Sequence, residues 1–149
     1  MNELQASMQI VLSNTFTMYF KSHSYHWNVE GMFFSQYHDF FGELYGELHG
    51  AVDPIAEQIR AIDGYGPVSL VDLMRYGTVS EDMAKPSNIR SMVLSLQQAN
   101  QQIIDSLNKA FTLAEQENNQ GLLDFIAGRL DVHAKHGWML NSSLKTTGE

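Results

Sequence analysis

The sequence of 149 residues contains no cysteine. Disulfides, thiolate zinc sites and cysteine nucleophiles are therefore excluded, and this composition is typical of a reducing compartment. No apolar run approaches the roughly 20 residues that a membrane-spanning helix needs. The N-terminal segment MNELQASMQIVL lacks a basic region before its apolar residues and reads directly into a helix. We therefore expect a cytoplasmic protein with no signal peptide and no membrane association.

Basic residues are scarce. Nine Lys and Arg stand against seventeen Asp and Glu, which gives a formal net charge of -8. The first twenty positions contain no basic residue, and the C-terminal segment NSSLKTTGE contains only Lys145. The long-range field therefore repels phosphate backbones and attracts cations. No flexible basic arm is present to hold DNA, so we do not expect DNA binding.

The chain length fits one domain, and no linker or internal repeat divides it, so we expect a single domain over residues 1–149. No segment alternates cleanly between apolar and polar residues, which argues against strands. Apolar residues instead recur at intervals of three and four in four long segments. The first helix is predicted over 3–28, the second ends at Gly64, the third follows Pro86, and the fourth follows the turn ENNQG.

A short fifth helix is predicted in the segment PVSLVDLMRYG, between the second and third long helices. Ser69 with Asp72 three residues later is the pattern of a capping box, and Gly77 is a predicted stop. Four long helices with one crossover connection predict an all-α four-helix bundle. Metal ions are often bound between facing helices of such bundles.

Histidines and acids form a polar row on the second helix. His38, His49, Asp53 and Glu57 fall on one side of the helix, beside the apolar stripe. Imidazoles with carboxylates suit iron, zinc or manganese. However, His38 lies about 22 Å along the axis from Asp53 at 1.5 Å per residue, so one helix cannot enclose an ion. An antiparallel copy about a two-fold axis would bring His38 of one chain beside Asp53 and Glu57 of the other, with His26 as a second nitrogen donor.

Each of these residues also has an ordinary interpretation. A histidine on a half-buried helix face is usually packed and hydrogen-bonded, and Asp53 with Glu57 one turn later fits a solvated face. Spacing alone leaves the metal site and the ordinary interpretation both open. His133 falls in the apolar row of the fourth helix, where we expect a buried, hydrogen-bonded histidine rather than a ligand.

Several segments together resemble the Dps family, the ferritin-like miniferritins named for DNA protection during starvation. They are YHWNVEGMFF, which contains His26, then His38 twelve residues later, DPIAEQIRAIDGYGPVSLVDL and HAKHGWML. The resemblance covers nearly the whole chain. It implies a ferritin-like four-helix bundle assembled as a hollow dodecamer. It further implies a ferroxidase that oxidises Fe²⁺ with peroxide or dioxygen at sites shared between subunits, and an iron store that holds the ferric mineral inside.

The resemblance also implies a ligand set. His26 and His38 match the two histidine ligands of the family, and Asp53 and Glu57 match the acidic ligands contributed by the neighbouring chain. One ligand is missing, because Gly42 stands where the family has an aspartate four residues after its second histidine. We therefore expect weakened metal binding and ferroxidation.

His49 is a candidate ligand that compensates for this loss, or else a surface or interface histidine. A cage with a degraded metal site, serving as a structural or DNA-protecting scaffold, is the alternative function.

Gly42 belongs to a row of glycines, with Gly46 and Gly50, on one face of the second helix. Each costs roughly 1 kcal/mol relative to alanine in a helix interior, so the row should be offset by another interaction. We hypothesise that a neighbouring helix or a bulky ring fills the space that the missing carboxylate would occupy.

Overall fold

The computed structural model describes residues 1–146, which leaves the last three residues of the predicted domain outside the described range. Within that range the chain forms α1 (Glu3–Asn28), α2 (Phe34–Ala61), α3 (Leu70–Met74), α4 (Ile89–Gln116) and α5 (Gln120–Leu144). The long helices α1, α2, α4 and α5 pack as a bundle, with α1 against α2 and α4, and α4 against α5. The predicted all-α four-helix bundle with a short helix in the crossover is confirmed.

Side-chain caps fix the starts of four helices. Asn2 and Gln5 form a capping box at α1, while Ser69, Asn88 and Asn119 accept backbone N–H groups at α3, α4 and α5. Each cap satisfies an N–H group that the helix itself leaves without a partner. The cap predicted at Ser69 is confirmed, and the first helix has its predicted bounds.

Two predicted helix ends are wrong by three residues. The second long helix ends at Ala61 rather than Gly64, because Asp63 already adopts the left-handed conformation with φ 66. The short helix ends at Met74 rather than Gly77, because the N–H of Arg75 bonds to the carbonyl of Asp72, which tightens the last turn. Asp72 also accepts from the N–H of Val68, not of Ser69, so the predicted capping box is only half formed.

The buried side chains of α2 determine which face of this helix is exposed to solvent. Leu44, Leu48 and Ile55 of α2 are buried against the other long helices. Each such side chain contributes about 1.5–3 kcal/mol when fully removed from water. Their burial turns the opposite face of α2 outward, and that face carries the exposed Asp53 and Glu57.

The crossover between α2 and α4 is fastened to α1 by buried polar side chains. The Oδ1 atom of Asn14 accepts the N–H groups of Thr78 at 2.7 Å and Val79 at 3.1 Å. The ammonium group of Lys21 lies 3.2 Å from a carboxylate oxygen of Asp82. These contacts cover a side of α1 other than the one that packs on α2. No helix within residues 1–146 combines the length and apolarity that crossing a bilayer requires.

Candidate metal centre

A tight reversal joins α1 to α2 and brings two histidines together. Gly31 in this turn has φ 116, a conformation that only glycine adopts without strain. The last turn of α1, with His26, consequently lies beside the first turns of α2, with His38. The two imidazoles stack at a centroid distance of 3.8 Å and an interplanar angle of 17°.

The two histidines are joined by reciprocal hydrogen bonds. The Nδ1 atom of His26 lies 2.7 Å from the backbone carbonyl oxygen of His38, and the Nδ1 atom of His38 lies 2.7 Å from the carbonyl oxygen of His26. Because a carbonyl oxygen can only accept, both Nδ1 atoms must carry the proton. A ring protonated at Nδ1 alone presents Nε2 as a free lone pair, which is the form that binds metal.

Gly42 makes room for this arrangement. A Cβ atom built on Gly42 would lie 3.1 Å from Nδ1 and 3.2 Å from Cε1 of the His26 ring, which is tighter than ordinary contact. The bulky ring hypothesised to fill the glycine face is thus His26. Within the described chain nothing lies within 4 Å of a Cβ atom built on Gly46 or Gly50, so a neighbouring helix along the rest of the glycine row stays a prediction.

Sequence reasoning missed His23, which lies one turn before His26. Its ring is held between two aromatic rings, stacked on Tyr45 at 3.8 Å and 5° and tilted against Trp27 at 4.2 Å. Its Nδ1 atom lies 3.0 Å from the hydroxyl of Tyr19. Burial, then the charges of His26 and a second nearby histidine, lower its pKa. The signal that could have found His23 is its spacing of three from His26, which places both on one helix face.

His49 and the two acids lie apart from the histidine pair. The ring of His49 contacts only Tyr19 among the described aromatic rings, with centroids 4.9 Å apart. Asp53 and Glu57 are exposed further along α2. Within residues 1–146, no three histidine, aspartate or glutamate side chains converge on a point that would hold an ion. One chain therefore supplies nitrogen donors at one end of α2 and oxygen donors at the other.

A second polar cluster, buried between α2, α4 and α5, involves the other two histidines. Glu47 accepts two hydrogen bonds from Arg129, at 2.5 and 3.1 Å, and a third at 2.7 Å from His136 Nε2. Arg129 also donates to His133 Nε2 at 3.0 Å, and His133 Nδ1 donates to the Asn100 side-chain oxygen at 2.8 Å. The prediction that His133 is buried and hydrogen-bonded is confirmed.

This cluster pairs the carboxylate of Glu47 with the guanidinium group of Arg129. Burial opposes ionisation of Glu47, but the hydrogen bonds from His136 and Arg129 outweigh it and lower the pKa of the carboxyl to about 2. Burial and the neighbouring charges of Arg129 and His136 lower the pKa of His133 to about 3. Both ring nitrogens of His133 are used within the protein, so this histidine is structural. Sequence reasoning missed Glu47 and Arg129 because their pairing spans 82 residues.

The chain is similar to known proteins over nearly its whole length. Residues 5–148 match the family model described as the ferritin-like domain. The DNA protection during starvation protein of Brevibacillus brevis is 30% identical over 90% of this chain and 89% of that protein. The crystal structure of Dps from Staphylococcus aureus has a TM-score of 0.89 and 30% identity, covering 96% of this chain and 95% of that one.

A third similar protein supports the fold alone, because its sequence identity with this chain is low. The Dps protein of Vibrio cholerae, described as a member of a broad superfamily of ferritin-like diiron-carboxylate proteins, has a TM-score of 0.91 at 24% identity. It covers 96% of this chain and 89% of that one. The fold is that of the ferritin-like class. Within that class, the chain belongs to the Dps family of miniferritins.

Proposed function

We propose that the protein oxidises and stores iron, with Fe²⁺ bound between subunits by His26 and His38 of one chain and Asp53 and Glu57 of another. The observation that carries the proposal is the orientation of the histidine pair. Metal-ligating histidines almost always donate their second ring N–H to a carbonyl or carboxylate. His26 and His38 both do so, and their Nε2 atoms are left for a ligand.

The separation of the donors supports a site shared between two copies. Asp53 lies about 22 Å and Glu57 about 28 Å along α2 from His38 at 1.5 Å per residue, beyond the reach of any side chain. In an antiparallel pair of α2 helices about a two-fold axis, the histidine end of one copy meets the acidic end of the other, and the same contact occurs twice. A homo-oligomer is therefore part of the proposal, and the family resemblance supports a dodecameric cage.

The donor set suits iron oxidation. Carboxylate oxygens are hard ligands that stabilise Fe³⁺ more than Fe²⁺, while imidazole binds either ion. Each Fe²⁺ gives up one electron, and one peroxide molecule takes two electrons and two protons to become two waters. The ferric product then hydrolyses and forms mineral within the cage. The net charge of -8 attracts Fe²⁺ to the particle. Zn²⁺ and Mn²⁺ fit the same ligands and are expected competitors.

Stopped-flow iron oxidation on the purified particle tests the proposal. Wild-type protein should oxidise Fe²⁺ on addition of peroxide, and His26→Ala and Asp53→Ala should each slow the fast phase by at least about tenfold. Lys145→Ala, far from these residues in sequence, is the matched control and should leave the rate unchanged. Equal rates in all four proteins would show that these residues are not the site.

The alternative function is a cage whose metal site has degraded. The observation in its favour is Gly42, which removes one carboxylate that the family resemblance leads us to expect. A degraded site predicts no saturable metal binding at the histidine pair and no peroxide-driven oxidation above that of free Fe²⁺. The stopped-flow experiment separates the two functions.

A further inference from the structure

The imidazole of His38 lies between two other rings. Its centroid is 3.8 Å from that of His26 at an interplanar angle of 17°, and 5.0 Å from that of Phe34 at 19°. Two rings that are both nearly parallel to His38 at these distances would overlap if they shared one of its faces. His26 and Phe34 therefore cover opposite faces of the His38 ring.

The backbone brings Phe34 to this position. Gly31, with its positive φ, forms the reversal after α1, and its carbonyl oxygen accepts the N–H of Phe34 at 3.1 Å. Phe34 is the first residue of α2, and His38 follows it by one turn. Side chains on a helix lean toward its N-terminus, so the imidazole of His38 lies over the residue four positions earlier.

The phenyl ring supplies a constraint that the hydrogen bond of His38 does not. The bond from its Nδ1–H to the carbonyl oxygen of His26 fixes one ring atom, about which the imidazole can still tilt. A tilt would change the direction in which the Nε2 lone pair points. Rings packed on both faces leave no room for this motion. The plane of the imidazole and the direction of Nε2 are therefore fixed together.

We propose that Phe34 is a positioning residue, which covers the second face of His38 and so fixes the direction of its Nε2 lone pair. The inference rests on the proposed function for its link to metal, because Fe²⁺ would bind at that lone pair. Phe33 provides a matched control. It is also aromatic and exposed, at 57% against 40% for Phe34, but its ring contacts neither histidine ring within residues 1–146.

The rigidity of the ring provides a first test that needs no metal. Magic-angle-spinning NMR of metal-free protein with ¹⁵N-labelled histidine measures the ¹⁵N–¹H dipolar coupling of each ring N–H, and His38→Gln assigns the signal. Phe34→Ala should reduce the coupling at Nδ1 of His38, because the ring can then tilt. Phe34→Tyr, which keeps a flat ring, and Phe33→Ala should both retain the wild-type coupling. An unchanged coupling in Phe34→Ala would overturn the inference, as would an equal reduction in Phe33→Ala.

Calorimetric titration with Zn²⁺ alone, without oxidant, tests the consequence for binding. Phe34→Ala should weaken Zn²⁺ binding by about three- to tenfold, the size expected for the loss of one aromatic pair. Phe34→Tyr and Phe33→Ala should bind as wild type does. Equal binding by wild type and Phe34→Ala would overturn the inference. If wild type bound no Zn²⁺ while the coupling changed as expected, the proposed function would fail and the positioning role of Phe34 would stand.

Discussion

The imidazole of His38 donates its Nδ1–H to the backbone carbonyl of His26 over 2.7 Å, at the point where α1 ends. Residues in the last turn of a helix have carbonyls without an intrahelical partner, so this bond caps α1. The same bond leaves Nε2 of His38 free. One interaction therefore fixes the reversal between α1 and α2 and orients a candidate ligand.

Removing each histidine in turn ranks the candidate ligands. His26→Ala and His38→Ala should weaken Zn²⁺ binding by at least about tenfold, because each removes an oriented nitrogen donor. His49→Ala should have a smaller effect, because its ring is exposed and contacts only Tyr19 among the described rings. Calorimetric titration of the three variants provides the measurement. A larger loss in His49→Ala than in His26→Ala would assign His49 as a main ligand.

Trp27 should report metal binding. Its ring centroid lies 4.2 Å from that of His23, and Trp27 directly follows His26 in the chain. The other tryptophan, Trp138, lies on α5. Co²⁺ quenches tryptophan fluorescence at short range. We therefore expect saturable quenching in Trp138→Phe, which retains Trp27, and little in Trp27→Phe. Quenching of equal size in both variants would mean that Co²⁺ does not bind beside Trp27.

The buried Glu47–Arg129–His133 cluster predicts sensitivity to acid. The pKa of His133 is lowered from 6.5 to about 3 in the folded chain. Between these two pH values, the unfolded chain binds a proton at this residue and the folded chain does not. Stability from this residue is fully present above pH 6.5 and is lost as the pH falls toward 3, with a slope of up to about 1.4 kcal/mol per pH unit. Glu47, with its pKa near 2, adds a loss below its ordinary value of 4.5.

Urea unfolding at a series of pH values measures this slope. His133→Gln, which cannot titrate, should lie below wild type at neutral pH and approach it as the pH falls. Asp105→Asn, on the exposed face of α4, is the control and should follow the wild-type curve. A constant gap between His133→Gln and wild type across the pH range would contradict the assignment.

DNA binding is not expected, although related proteins are named for DNA protection. The net charge of -8 and the absence of basic residues from the first twenty positions oppose contact with phosphates. In a gel-shift assay at low salt, where such contact is strongest, the particle should leave linear DNA unretarded. A variant with five lysines added at its N-terminus should retard it. Retardation by wild type at low salt would contradict the charge argument.

The fold was predictable because apolar spacing and caps are local signals. The first helix and the Ser69 cap follow directly from the residues, and the two wrong helix ends arise where backbone conformation rather than composition ends the helix. That His26 and His38 belong to one site was predictable from the sequence. The stacking of their rings and the hydrogen bond from each Nδ1–H to the backbone carbonyl of the other residue were not, since no sequence pattern indicates such bonds. The Glu47–Arg129 pair was missed because only the folded bundle brings these residues together.

Other sequence predictions have no counterpart within one chain. The ligand roles of all five predicted residues stay predictions, because a site between copies is complete only in the assembly: His26, His38, His49, Asp53 and Glu57. The dodecamer, the cytoplasmic location and a single domain over 1–149 stay predictions for the same reason: they concern more than the fold of residues 1–146.

Complementation between defective chains tests the central claim most directly, namely that two copies pool nitrogen and oxygen donors. A chain with His26→Ala and His38→Ala is co-expressed with a differently tagged chain carrying Asp53→Ala and Glu57→Ala, and mixed particles are isolated through both tags. At a mixed two-fold interface about one of every two sites regains all its ligands. Mixed particles should therefore bind Zn²⁺ and oxidise Fe²⁺ while neither parent does. Mixed particles as inactive as their parents would contradict a shared site.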